Sequence, residues 1–305
     1  MAPKTLLVVA GPTGIGKTAL AVQLAKHFKT EILSADSRQF YSEMHIGTAV
    51  PDKEELATAN HYFIQHKSIH DTYTVGDFER EALELLDKLF KRHDLVIMVG
   101  GSGLYIDAVL FGMDSFPDIE PSIREVLNKE LDQNGLGPLQ QELVTADPLY
   151  AQKVDLQNPQ RVIRALEVWR ATGKPYSSFL GRKKTSRPFK TLIIGIEAAR
   201  EVVYQRINAR VDRMMAAGLL QEASGLKEFK NLNALQTVGY KELFQYLDGH
   251  CTLEEAVEEI KKNTRRFAKR QGTWFRKNKT ILWVHYDLSF NLIVERIQQE
   301  LRKQL

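Results

Sequence analysis

The chain has 305 residues, 43% hydrophobic and 26% charged, with a formal net charge of +4, enough to bury a full core as one large domain or two modest ones. No apolar run approaches the roughly 20 residues that cross a bilayer, so a membrane partner is not expected. The lone Cys251 excludes an intrachain disulfide and a cysteine-rich zinc site and fits a reducing, cytoplasmic setting.

Lys4 to Ala10 is a short apolar, β-branched run stopped by Gly11-Pro12, which reads as a first buried strand rather than a signal peptide. Thr18 to Phe28 has helical spacing, with Ala21, Leu24, Ala25 and Phe28 on one face. Glu31 to Ala35 is a second strand, ending at Asp36. His61, His66 and His70 follow in a predicted loop, at spacings that suit no standard metal site. Phe78 to Phe90 is an amphipathic helix, and Asp94 to Val99 a buried strand that runs into Gly100-Gly101. Strands alternating with helices predict a doubly wound parallel sheet whose sites lie at the strand C-terminal ends.

The alternation stops near Ser115. Helical patterns over 122–134, 137–146 and 159–172 follow, bounded by Pro117 and by the polar stretch Gly181 to Pro188. Thr191 to Ile196 restores a strand and Arg200 to Ala217 a helix. The expected architecture is an α/β core over 1–114 and 189–305, interrupted by an all-helical insertion over 115–188. From Lys261 to Lys279 there are nine Lys or Arg and no acid, directly after four carboxylates between Glu254 and Glu259. A block of one sign points to an anionic partner, the alternative being a solvated basic helix. Trp274 and Phe275, at helical spacing from Phe267, are read as core packing in preference to base stacking.

Gly11-Pro12-Thr13-Gly14-Ile15-Gly16-Lys17-Thr18 satisfies G-x-x-x-x-G-K-[ST] between a strand and a helix, the context a phosphate-binding loop requires. Its glycines let successive N–H groups converge on phosphate oxygens at a helix N-terminus, Lys17 neutralises phosphate charge, and Thr18 is placed to ligate magnesium. The core is therefore of the P-loop NTPase-like kind. NTPases commonly end another strand in a metal-holding acid, yet Leu95 to Val99 ends in Gly100-Gly101-Ser102-Gly103. The loop is thus suited to a diphosphate that departs. Asp36, at the end of the second strand, faces that crevice as a base or metal partner, or else serves as a turn residue.

Seven blocks carry a resemblance that runs nearly end to end: GPTGIGKT (11–18), SADSRQFYSEMHIGTAVP (34–51), GGSGLYIDAV (100–109), NPQRVIRALEVWRATG (158–173), RINARVDRMMAAGLLQE (206–222), TVGYKE (237–242) and TRRFAKRQGTWFR (264–276). Together they resemble the bacterial tRNA dimethylallyltransferase, or tRNA isopentenyltransferase, family. The resemblance implies transfer of a dimethylallyl group from its diphosphate to N6 of the adenine at tRNA position 37, with Mg2+ as cofactor and the tRNA anticodon stem-loop as partner. It makes Asp36 the general base and puts Thr13 near the leaving oxygen. An arginine among Arg206, Arg210 and Arg213 reaches the diphosphate, with Arg210 preferred. It places tRNA contacts at Asp36, Ser37, Arg38 and Gln39, at Gln160, Arg161, Val162, Ile163 and Arg164, and at Thr237, Val238, Gly239, Tyr240, Lys241 and Glu242. Ser102 and Arg124 flank them.

Gly14-Ile15 stands where the family more often has Ala-Ser, and Ser102 where Thr is usual, which leaves backbone amides and a hydroxyl in place. No cysteine- and histidine-containing zinc finger precedes Leu305, as in bacterial-type members, and a monomer is expected. Three other readings compete: an adenylate isopentenyltransferase acting on free AMP, ADP or ATP, a P-loop small-molecule kinase or ATPase, and a noncatalytic RNA-binding module. Free-nucleotide turnover, steady ATP hydrolysis, or indifference to loss of Asp36 would mark each in turn.

Overall fold

A computed structural model describes residues 3–181 and 185–303 and divides into two compact units, Met1–Phe111 with Ser186–Leu305 and, between them in sequence, Gly112–Thr185. The smaller unit thus starts and ends slightly before the 115–188 suggested by composition. Residues 182–184 of that polar boundary lie outside the described residues.

The chain begins with β1 (Thr5–Ala10), α1 (Lys17–Phe28), β2 (Ile32–Ser34), α2 (Lys53–Thr58), β3 (His61–Tyr62), α3 (Val75–Phe90), β4 (Leu95–Val99) and α4 (Gly103–Phe111). The smaller unit holds α5 (Pro121–Asn134), α6 (Leu136–Ala146), α7 (Pro148–Ala151) and α8 (Pro159–Thr172). The larger unit resumes with β5 (Lys190–Glu197), α9 (Arg200–Ala216), α10 (Leu219–Gly225), α11 (Tyr240–Leu247), α12 (Leu253–Phe275), β6 (Leu282–His285) and α13 (Phe290–Lys303).

Six parallel strands form one sheet in the order β3-β2-β4-β1-β5-β6. Every residue of β1 is buried, as a strand covered on both faces requires, and this explains its unbroken apolar run. Its side chains divide by the period of two. Leu6 and Val8 enter a core with Phe78, Ala82 and Leu86 of α3, while Leu7 and Val9 pack with Leu24 of α1 and Ile293 and Ile297 of α13. A reciprocal box starts α3, with Thr74 Oγ1 accepting from the Asp77 amide and Asp77 from the Thr74 amide. Two strands escape a reading by periodicity. β3, inside the stretch expected to be loop, has two residues, too few for any period to show. β6 is a four-residue edge strand directly after the basic block.

The helical unit has its own core of Leu127, Leu139, Leu143, Val162, Ile163 and Leu166. Arg170 of α8 ties it together, reaching Glu130 of α5 (2.9 and 2.7 Å) and Glu142 of α6 (2.8 and 2.5 Å). Buried Asp147 caps α7 and accepts from both the amide and the hydroxyl of Ser177.

Beyond the C-terminal ends of β1, β2 and β4 the backbones converge. The Ala35 amide donates to Val99 O (2.7 Å), Gly100 to Val9 O (3.2 Å) and Ser102 to Ala35 O (3.3 Å). A Cβ on Gly100 would lie 2.2 Å from Ala35 O, so no side chain fits there. Gly100→Ala should therefore push two strand ends apart and destabilise the protein by roughly 1–3 kcal/mol, as overpacking does. An unchanged urea midpoint would contradict that close approach.

Candidate active site

The crevice beyond the strand ends is a cleft of about 670 Å³ within the larger unit. One wall is the phosphate loop, which leaves β1 and enters α1. Gly11, Gly14 and Gly16 all have positive φ (146°, 79° and 106°), the curl that turns successive amides inward, and Gly16 caps α1 with no side chain in the way. Lys17 donates to Pro12 O at 2.8 Å within its own loop. Dense packing desolvates its ammonium and pulls the pKa down to about 8, with Asp36 acting in the opposite direction and Arg210 in the same one. Burial likewise lowers the Arg210 guanidinium, again opposed by Asp36. Lys17, Asp36 and Arg210 thus feel one another's charge, and Thr13, Asp36 and Arg210 all line the cleft. Of Arg206, Arg210 and Arg213, Arg210 alone lines it. Arg206 donates to Gly14 O (2.9 Å), and Arg213 is exposed and folds back onto Ala209 O.

The turn after β2 forms the next wall. The Arg38 amide donates to Asp36 Oδ1 (3.1 Å) and the Ser37 amide to Ser102 Oγ (3.1 Å), which fastens this turn to the Gly-rich segment after β4. The Arg38 guanidinium donates to Asn233 O and Ala234 O, both at 3.0 Å. Gln39 is buried, accepting from Ser34 Oγ (3.0 Å) and donating to Ala49 O (2.9 Å).

The far wall contains Thr237, Val238, Gly239, Lys241 and Glu242. Glu222 of α10 joins it to the segment after Gln39. Its carboxylate accepts from the amides of His45 (2.9 Å), Ile46 (2.8 Å) and Gly47 (3.0 Å) and from the Tyr240 hydroxyl (2.6 Å). Tyr240 is fully buried, packed where any Gly47 side chain would stand, and burial with that acceptor raises its phenol far above the ordinary range. Glu242 is buried too, bonded to Gly239 N and Asn263 Nδ2, both at 2.8 Å.

Helix α12 closes the cleft along one stripe that includes Ile260, Thr264, Phe267, Gln271 and Trp274. Gln271 is 6% exposed and bridges two loops, accepting from Thr13 N (2.8 Å) and donating to Gly101 O (2.9 Å). Its only trace in the sequence is the AKRQ block.

Several expectations need correction. Trp274 is not core: it is 39% exposed, lines the cleft and donates to Asp107 Oδ2 (2.9 Å), whereas Phe275 is buried. The basic block is not uniformly unpaired. Lys261 meets Glu258 and Lys262 meets Glu259, because helical spacing of three brings the preceding acidic turn alongside, and Lys261 also meets Asp212 of α9. Farther along, Arg270 and Lys277 lie over the rings of Phe267 and Trp274. In the helical unit, Val162 and Ile163 are fully buried, so their side chains build its core and reach no partner there. Arg124 and Arg164 gather on buried Glu167 (3.5 and 2.9 Å), Gln160 accepts from Arg124 (3.2 Å), and Arg161 is exposed. Among the histidines, His61 lies in β3 and His66 packs edge-on against Phe40, Phe63 and Tyr73.

A family model described as IPP transferase matches residues 39–278. The chain is 55% identical over 296 residues to a tRNA dimethylallyltransferase of Christiangramia forsetii, covering 97% of this chain and 98% of the relative. To that of Flavobacterium johnsoniae it is 54% identical over 308 residues, covering 99% and 100%. Among solved structures it is similar to the full-length tRNA isopentenylpyrophosphate transferase from Bacillus halodurans (TM-score 0.72, 36% identity, 98% and 96% coverage). It is also similar to a eukaryotic dimethylallyltransferase acting on tRNA (TM-score 0.78, 29% identity, 93% of this chain and 75% of that one).

Because the Lys17 pKa lies near 8, its charge is present below that pH and lost above it. A bound diphosphate holds the ammonium charged. Affinity for an unreactive alkyl diphosphate should therefore drop by up to about tenfold per pH unit above about pH 8, and Lys17→Met should bind weakly with no such slope. Calorimetry between pH 7 and 9.5 checks this, and a level wild-type profile would refute it. Glu222→Gln puts an amide donor against backbone donors and should cost roughly 1–3 kcal/mol in urea unfolding. Tyr240→Phe, which leaves the three amides paired, should cost less.

Proposed function

The chain belongs to the IPP transferase family, and from there we propose that it transfers a dimethylallyl group from dimethylallyl diphosphate to N6 of the adenine at tRNA position 37, releasing diphosphate. The observation that carries this reading is one cleft lined by Thr13 of the phosphate loop, Asp36 and Arg210, with Lys17 of that loop close enough to feel the charge of both Asp36 and Arg210. A departing diphosphate and an amine that must lose a proton need these two kinds of group side by side.

Allylic diphosphates ionise readily because the positive charge spreads over the allyl unit. The C1–O bond breaks and its electron pair leaves with diphosphate, where Lys17, Arg210 and the loop amides spread the growing negative charge. Thr13 hydrogen-bonds the leaving oxygen. The N6 lone pair forms the new C–N bond, and the N6 proton passes to the Asp36 carboxylate. Leu104, Phe267 and Trp274 give the cleft an apolar side that keeps water from the five-carbon chain. The adenine enters flipped from its stack, the general solution for chemistry on a base.

The donor set fits magnesium brought in with the diphosphate. Thr18 offers a hydroxyl in the first turn of α1, and the diphosphate brings its own oxygens, while no His, Cys, Asp and Glu group among the described residues forms a cage of its own. Bound there, magnesium would neutralise diphosphate charge.

The expected tRNA contacts divide by burial. We assign direct contact to the accessible Ser37, Arg38, Ser102, Thr237, Val238 and Lys241 beside the cleft and to Arg124, Gln160 and Arg161 in the helical unit. Gln39, Tyr240 and Glu242, all buried, shape the walls those residues stand on. Since the cleft is complete within one chain, we also propose that the enzyme works as a monomer, in the cytoplasm where tRNA is processed.

The test offers radiolabelled dimethylallyl diphosphate with magnesium to unmodified tRNA and to free AMP in parallel. Label on tRNA alone is expected; equal labelling of AMP would move the chain to the adenylate class. Asp36→Asn should keep tRNA affinity and lose about 10²- to 10⁴-fold in transfer rate, the usual worth of a positioned base. A near-normal rate in that variant would remove Asp36 from the base role.

A further inference from the structure

We infer that Gln271 is a positioning residue for the transfer step, holding the Pro12–Thr13 peptide plane of the phosphate loop while the donor is bound; this rests on the reading above. Pro12 C=O and Thr13 N–H belong to one peptide group, and both its polar ends are held. Lys17 Nζ donates to the carbonyl at 2.8 Å, and the Thr13 amide donates to Gln271 Oε1 at 2.8 Å. A peptide gripped at both ends cannot rotate.

The two grips differ in what they do during the reaction. Lys17 carries three N–H donors on a flexible stem, and with a diphosphate present it divides them between the donor and Pro12 O, so its hold on that carbonyl loosens. Gln271 has no such second task. It is buried, its carboxamide nitrogen donates to Gly101 O at 2.9 Å, and it is carried on α12, a 23-residue helix anchored by Ile260, Ala268 and Phe275. The position demands a group that accepts on one side and donates on the other, which a carboxamide does and an apolar side chain or a carboxylate does not. It also demands an empty neighbour, since a Cβ on Gly101 would stand 2.2 Å from Gln271 Nε2 and 3.6 Å from Lys17 Nζ.

In the loaded enzyme Gln271 is therefore the firmer side-chain hold on the peptide that sets Thr13. Without it the peptide is free to turn, and the Thr13 hydroxyl loses its fixed relation to the leaving oxygen. Since the Thr13 amide is already taken by Gln271, it is not one of the amides that bind phosphate. Loss of Gln271 should then disturb the chemical step more than donor binding.

The experiment compares wild type, Gln271→Met, Thr13→Ala and the double variant in single-turnover transfer to tRNA. Affinities for an unreactive dimethylallyl diphosphate analogue and for tRNA are measured beside it. Gln271→Met should slow transfer about 10- to 100-fold, the scale of a small misplacement at a reacting centre, with both affinities within about threefold of wild type. The double variant should be no slower than Thr13→Ala alone, because Gln271 acts through Thr13. Multiplicative losses, an unchanged rate in Gln271→Met, or a donor affinity that falls as far as the rate would each overturn the inference. Gln271→Ala, which brings no bulk, replaces Gln271→Met should that variant not fold. If wild type transfers nothing to tRNA, the reaction assignment fails and takes this inference with it. If wild type transfers normally and only the variants disagree, the assignment stands and Gln271 alone is misread.

Discussion

The site depends on a contact that leaves no room for a side chain, where the segment after β4 crosses the carbonyl of Ala35 at Gly100. Because those backbones touch, the turn holding Asp36 and the loop holding Lys17 sit within electrostatic reach across a single crevice. Move the strand ends apart and the carboxylate and cations still exist, but they no longer feel one another's charge. The mutual hydrogen bonds of Ala35, Val99, Val9 and Gly100 then hold the strand ends in that relation.

Around that crossing, charge is arranged by burial. Three polar groups that look suited to contact are turned inward: Tyr240 to Glu222, Gln39 to Ser34 and the Ala49 carbonyl, and Gln271 to two loop backbones. Each is satisfied within the protein, so each stiffens a wall rather than meeting a ligand. The accessible groups, Ser37, Arg38, Lys241 and Trp274, stand on what these internal bonds support. Buried satisfied networks and exposed binding groups thus alternate along the same short motifs.

The helical stretches and the phosphate loop were legible in sequence because their signals are local. The patterns over 122–134, 137–146 and 159–172 correspond to α5, α6 and α8 within a residue at either end. β3 was not legible, since two residues carry no period, and β6 lay behind a run of charge. α13 does carry a local signal, the helical apolar spacing of Ile293, Val294 and Ile297. In the site, the glycine loop and Asp36 were visible as motif and strand end. Gln271 was not, because its partners lie 258 and 170 residues away, and nothing local marks a side chain that bonds two remote backbones. Tyr240 and Val162 stand in motifs that point to contact, yet both side chains are buried. A motif tells which positions matter together, and only packing tells whether a side chain faces a partner or the core.

Helix α12 is about 35 Å long at 1.5 Å per residue, and its ends differ in charge. Glu254 and Glu255 occupy its first turn, while Lys269, Arg270 and Arg276 lie at or beside its cleft-side end. The acidic first turn suits the positive end of the helix macrodipole and stabilises the rod there. A rod with a cationic end and an anionic end also behaves as an electric lever. In the field of a nearby polyanion such a rod experiences a torque as well as an attraction, felt within about one Debye length, roughly 8 Å at physiological salt.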